Sequence, residues 1–309
     1  MTRAASRVPA LANPHALAAL TGVQVGAALV ASAVVVGSTG AAMLAFLRYA
    51  LATLLLLPFA WRSLRAGPAM PLRDTVSVAV LGIGQFGALI WLLNHAVGLA
   101  APARVALVFA TLPVLTAAVA VLLGRGWPAR HVMTGIAVGL VGVAVLLGDA
   151  ALGASIAGGE LLGLALALGA TTLATICSLL YRPYLARYGV LRVSTLAMLA
   201  SLPPLALLAA FEPFAPVGTW GAETWGLIAF VGASSAVGYL MWLGALARLD
   251  AAIVTAFLAL SPVTAALLSA AFLGAALSGA DLAAMALVAA GLAVMAIRGG
   301  KTTIQETHP

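Results

Sequence analysis

Residues 103–124 read ARVALVFATLPVLTAAVAVLLG, and residues 252–273 read AIVTAFLALSPVTAALLSAAFL. Laid over one another in register, they bring Pro113 onto Pro262. Upstream in the same register, IWLLNHAVGLAAPA (90–103) falls over YLMWLGALARLDAA (239–252). With one residue of slippage, GIAVGLVGVAVLLG (135–148) falls over MALVAAGLAVMAIR (285–298). The chain therefore reads as two related halves. Each quoted 22-residue stretch is long enough to cross the bilayer, which takes about 20 apolar residues for about 30 Å of hydrocarbon.

The whole chain has this character. Of 309 residues, 64% are apolar and only 7% charged, with a mean hydropathy of +1.16. So few ionisable side chains do not cover the surface of a soluble domain of this length. A membrane β-barrel needs segments of roughly ten residues that alternate in polarity, and the long aliphatic runs do not alternate. Both patterns exclude disorder and coiled coil and point to an all-α polytopic membrane protein. The single cysteine, Cys177, makes no internal disulfide and has no metal-ligand spacing.

Gly, Pro and charge clusters divide the chain into ten predicted spans: 14–37, 39–61, 75–96, 100–123, 130–148, 158–181, 192–211, 224–246, 250–273 and 278–298. The net charge of +7 is then read by position. With the N-terminus inside, the cytoplasmic segments hold Arg3, Arg7, Arg62, Arg65, Arg73, Arg125, Arg130, Arg182, Arg187, Arg192, Arg248, Arg298 and Lys301. Only Arg48 and Arg104 remain, while Asp149, Glu160, Glu212, Glu223 and Asp281 fall in outer loops. This positive-inside pattern predicts that both termini are cytoplasmic, with the basic face against anionic lipid. Five spans per half is an odd number, so the second half is expected upside down relative to the first, an arrangement many secondary transporters use. The expected organisation is a tail at 1–13, a first five-helix repeat at 14–148, a linker at 149–157, a second repeat at 158–298 and a tail at 299–309.

The Leu-rich stretch with Pro-Val (113–114 and 262–263) and a closing Leu-Gly (123–124 and 273–274), the Gly-rich span after it, and FLRY at 46–49 resemble the drug/metabolite transporter superfamily. The similarity is to its ten-helix branch of two EamA-type repeats, and within that to bacterial amino-acid exporters of the YddG-like group. The resemblance implies an inner-membrane exporter of amino acids, large neutral or aromatic ones among them, and similar metabolites, without enzymatic activity. The family pattern usually has an acid after each Leu-Gly; here Arg125 and Ala275 stand there, which departs from any ion pair made by that acid.

Polar groups inside a membrane are costly and are default functional candidates. Substrate contact is assigned to Gln24, Gln85, Trp91, Asn94, His95, Thr171, Thr175, Ser235, Tyr239 and Trp242. Gly84, Ala88, Trp91 and His95 share one α-helical face, as do Ser235, Tyr239 and Trp242. Arg48 is the charge well inside a span. A guanidinium there can hold a carboxylate, but the resembled family carries an arginine here across unlike substrates, which favours a structural or gating role. Pro113 and Pro262 are expected to kink spans four and nine and free backbone carbonyls. No carboxylate is predicted mid-span, so transport is expected to be facilitative or weakly coupled through His95. The chain shows no Walker A loop, HExxH or nucleophile elbow, and no cofactor or metal ion is expected. The expected partners are a small-molecule substrate and the lipid bilayer, not nucleic acid, and the expected state is a monomer.

Overall fold

Asn13 accepts a hydrogen bond from the amide of His15 at 3.0 Å, and Pro14 stands in the first turn. This cap starts a long apolar helix, α1 (Pro14–Thr39). Gly40, with φ of 71°, is the single turn residue before α2 (Ala41–Ala66). That backbone angle suits glycine, so two membrane-length helices are joined with almost no loop.

The computed structural model describes residues 13–66, 69–100, 105, 108–109, 111–124, 127–152, 158–273 and 279–299. Residues 1–12 and 300–309, residues 153–157 of the linker, Arg104, Arg125 and Ala275 lie outside them. The chain continues through α3 (Leu72–Leu99), α4 (Leu112–Leu122), α5 (Arg130–Leu152) and α6 (Gly158–Leu180). A short α7 (Arg182–Tyr188) leads to α8 (Val190–Phe211), a 3-10 turn (Val217–Thr219) and α9 (Ala222–Leu246). Next, α10 (251–273) runs from Ala251–Ala256 through the 3-10 turn Phe257–Ala259 into Leu260–Leu273, and α11 is Gly279–Gly299. No strand occurs among the described residues. Among those residues, seven helices are long and apolar enough to cross a membrane: α1, α2, α3, α6, α8, α9 and α10. The apolar helices Leu112–Leu122 and Met285–Val294 are shorter.

The main packing pairs between the halves survive an exchange of the halves. α1 packs on α9 as α6 packs on α3; α1 packs on α10 as α6 packs on α4. α2 packs on α9 as α8 packs on α3. α2 meets its own counterpart α8, and α5 meets α11. The repeat read from paired prolines is thus also present in the helix packing. At the α5–α11 contact, a Cβ added at Gly291 would lie 2.8 Å from the Gly139 amide nitrogen, so the helices approach as closely as small residues allow.

The α-helical path is interrupted just ahead of each proline. A turn at Thr111 precedes Pro113 in the first turn of α4, and the 3-10 turn Phe257–Ala259 precedes Pro262 within α10. A proline lacks the N–H for the carbonyl four residues earlier and its ring clashes with that carbonyl, so a break on its N-terminal side is the expected effect. One local expectation is corrected, in α3. Its middle, Ile83–Ala88, is a π-helical turn. Each extra residue rotates the remainder of the helix by about 100°, so the single face expected for Gly84, Ala88, Trp91 and His95 is broken.

Candidate functional site

A buried cavity of about 50 Å³ lies between the halves. On the scale where one water takes about 10–15 Å³, it has room for a few waters. Both halves build it. α1 contributes Gln24, Ala28 and Ser32; α2 contributes Arg48; α3 contributes Gln85, Leu89, Leu93 and Asn94. Ala174 comes from α6, Gly238, Tyr239 and Trp242 from α9, and Leu258 from α10. Of the substrate-contact candidates, Gln24, Gln85, Asn94, Tyr239 and Trp242 converge here. Ser235 lies one turn behind Tyr239.

Each polar group is held differently. Gln24 Nε2 donates to Ser234 Oγ at 3.3 Å. Asn94 Nδ2 donates to the Ala41 carbonyl at 2.9 Å, fixing α3 to the start of α2. The Tyr49 hydroxyl donates to the Tyr239 hydroxyl at 3.0 Å, and Phe86 meets the Tyr239 ring edge-on with centroids 4.4 Å apart. These contacts leave Tyr239 one ring face constrained by apolar packing and its hydroxyl already engaged. Ser32 Oγ, Gln85 Oε1 and Trp242 Nε1 are buried and have no hydrogen-bond partner among the described residues. All three residues line the cavity. Buried polar atoms are normally paired, so an unpaired set around one cavity is unusual.

Among the described residues that line the cavity, Arg48 is the only formally charged one. It is 6% exposed. Its Nε donates to Ser235 Oγ at 2.6 Å, and Ser235 in turn donates to the Val231 carbonyl at 2.5 Å. Its guanidinium carbon lies 5.6 Å from the Tyr49 ring centre.

The other candidates lie apart. Thr171 bonds back to the Ala167 carbonyl at 2.7 Å, the ordinary use of a helical threonine. Thr175 is buried with an unpaired hydroxyl, and the α6 residue on the cavity is its neighbour Ala174. Pro113 borders a smaller void between α5 and α10. The Trp91 and His95 rings pack at a tilt of 59° with centroids 4.6 Å apart, and neither residue lines the cavity. They close on Glu212, at the end of α8. Trp91 Nε1 donates to Glu212 Oε1, and His95 Nε2 lies 3.4 Å from the same oxygen. Glu212 Oε2 accepts from the Ala42 amide at 2.7 Å.

A second carboxylate contact occurs at the start of α3. Asp74 accepts from the Tyr188 hydroxyl and from Arg187 Nη1 at 3.0 Å, both at the end of α7 and just before α8. The bond to Asp74 holds the Tyr188 hydroxyl above the ordinary tyrosine range. Asp74 comes after the second helix of the first half, and Glu212 after the second helix of the other. Glu212 reaches the start of α2, and Asp74 the end of α7 just ahead of α8. Among the described residues, no group of three His, Cys, Asp or Glu could hold a metal ion.

Membrane-length helices in two packed halves, with a largely apolar cavity that carries a few polar groups between them, define a multispan transporter-like membrane protein. The EamA-like transporter family model matches residues 14–148 and 161–297, and the chain belongs to that family, within the drug/metabolite transporter superfamily. A comparison with curated proteins finds no match. A solved crystal structure of a protein shares the fold, with a TM-score of 0.74 and 24% identity over 92% of this chain and 96% of that one. Membership implies a multi-pass, non-enzymatic membrane transporter.

Proposed function

We propose that the chain is a secondary transporter of the bacterial inner membrane that exports amino acids, large neutral ones among them, and related small metabolites. In this reading it has ten spans in two inverted five-helix repeats, works as a monomer, and keeps both termini in the cytoplasm. The halves rock about the cavity, exposing it to each side in turn. The observation that carries the proposal is the cavity itself: it is buried between the halves, lined from both, and holds unpaired polar atoms beside Tyr239 and Trp242. In this reading the helices part to admit a large neutral amino acid to the cavity. With Glu212 and Asp74 both bonded across the halves, the reading is of a form closed at both ends.

Counterflow tests this. Purified protein in liposomes preloaded with an unlabelled amino acid should accumulate the labelled one transiently. Absence of exchange for every amino acid in a broad panel overturns the assignment. The apolar part of the lining, including Leu89, Ile90, Leu93, Phe109 and Leu112, favours a second reading, export of hydrophobic drugs. Exchange of an uncharged drug with no exchange of amino acids would select it.

A further inference from the structure

Arg48 has more hydrogen-bonding capacity than the protein uses. A guanidinium carries five N–H donors in a planar fork and stays protonated in proteins. Among the described residues only Nε has a partner, Ser235. A structural arginine of this depth would spend its terminal nitrogens on backbone carbonyls, and one reaching for the membrane surface would be exposed. Among the described residues Arg48 does neither: it is 6% exposed and borders the cavity. No Asp or Glu stands among the described lining residues to neutralise it. A buried charge without a counter-ion is costly, and the cavity is where one can be supplied.

We propose that Arg48 binds the carboxylate of the substrate, and that the site selects small monocarboxylates whether or not they carry an ammonium group. The proposal rests on the transport reading above and names its substrate class. One guanidinium matches one carboxylate in charge and in fork geometry. A phosphate, with its further charge, would lack a second cation among the lining residues. An ammonium finds no carboxylate there. It meets only neutral acceptors, the unpaired Gln85 Oε1 and Ser32 Oγ among them, and the faces of Tyr239 and Trp242, all weaker partners for a cation than a carboxylate. The carboxylate is therefore the required group and the ammonium a tolerated one. Trp242 Nε1, also unpaired on the cavity, offers a second donor to the acid.

Isothermal titration of the full-length detergent-purified protein tests this with three solutes that share one ring: phenylalanine, 3-phenylpropionate and phenethylamine. The set alanine, propionate and ethylamine repeats the comparison at smaller size. The amino acid and the acid of at least one set should bind within about threefold of each other, and the amine roughly tenfold or more weakly, the loss expected for a charged hydrogen bond. Arg48→Gln should erase this preference by weakening the acids and sparing the amine, and Arg48→Lys should recover part of it, with elution profile and unfolding midpoint checked for each variant. If the glutamine variant does not fold, the comparison on the parent protein decides alone. The inference is overturned if amine and acid bind equally, if no acid of either set binds, or if a folded Arg48→Gln variant keeps its affinity for acids. Selective binding of the acids without exchange in liposomes would instead overturn the transport reading and leave the binding site standing.

Discussion

Glu212 Oε2 accepts the Ala42 amide at 2.7 Å, so a carboxylate from the second half caps the N-terminal turn of a helix in the first. Residues 41–44 have no capping side chain of their own next to Gly40, and a negative charge suits the positive end of the helix dipole. The same carboxylate receives Trp91 Nε1. Glu212 thereby ties α2, α3 and α8 together at one end of the molecule. Asp74, bonded to Tyr188 and Arg187, ties α3 to the approach of α8 at its own site.

The first prediction concerns this contact. Glu212→Ala should loosen the start of α2 by about 1 kcal/mol, the usual worth of an N-cap. A cysteine at Ser38, in a protein whose Cys177 is replaced by alanine, should then react faster with an impermeant reagent. Asp74→Asn should leave that rate unchanged, because its partners lie on α7. Equal rates with and without Glu212 would show that the carboxylate does not hold this end closed.

A second prediction uses Gly238. It borders the cavity, and a Cβ there would fall on the Gln24 carboxamide. Gly238→Ala should push Gln24 away from Ser234 and reduce counterflow severely, with a stability cost of about 1–3 kcal/mol for overpacking. Gly226 on the same helix has nothing within 4 Å of an added Cβ. Gly226→Ala should therefore transport like the parent. Equal activity of the two variants would remove Gln24 from the site.

The third prediction concerns topology. Ala186 on α7 and Gly218 in the 3-10 turn lie at opposite ends of α8, whose 22 residues span about 33 Å. In the Cys177-replaced protein, Gly218→Cys should react with an impermeant reagent from the periplasm and Ala186→Cys only after the membrane is permeabilised. The opposite pattern would invert the proposed orientation.

Much of the helical plan was legible because it depends on local sequence. Apolar runs set helix lengths, Gly40 set a break, and the paired prolines marked the repeat. The stripe of Ser235, Tyr239 and Trp242 came from α-helical spacing, and α9 is an uninterrupted helix. The same arithmetic misplaced Trp91 and His95, because α3 contains the π turn Ile83–Ala88 and apolar sequence gives no sign of it. Glu212 was missed for another reason. An acid just beyond an apolar run reads as an outer-loop residue, and only packing between the halves brings Ala42 and Trp91 to it. The Arg48–Ser235 bond joins residues 187 positions apart and is equally invisible to local pattern.

The last prediction concerns the aromatic wall. Trp242 is buried on the cavity with an unpaired indole N–H, while Tyr239 has its hydroxyl bonded to Tyr49 and its ring edge-on to Phe86. The two rings are therefore not equivalent. Trp242 has both a face and a donor to offer a solute; Tyr239 is already tied into the protein. Trp242→Phe keeps most of the ring and removes the donor. It should weaken binding of a carboxylate solute by roughly 0.5–1.5 kcal/mol, about two- to twelvefold. Trp242→Ala removes both and should cost about 1–3 kcal/mol, roughly five- to 150-fold in affinity, because an aromatic contact of about 0.5–1.5 kcal/mol goes as well. Tyr239→Phe should reduce stability more than affinity, since it breaks the bond to Tyr49 and leaves the ring in place. Leu161→Ala, at an exposed position of α6, should change neither. Unfolding midpoints measured beside the titrations separate the two kinds of loss. If Trp242→Phe binds as tightly as the parent while Tyr239→Phe loses affinity at unchanged stability, the donor facing the solute is the tyrosine hydroxyl and the roles of the two rings are reversed.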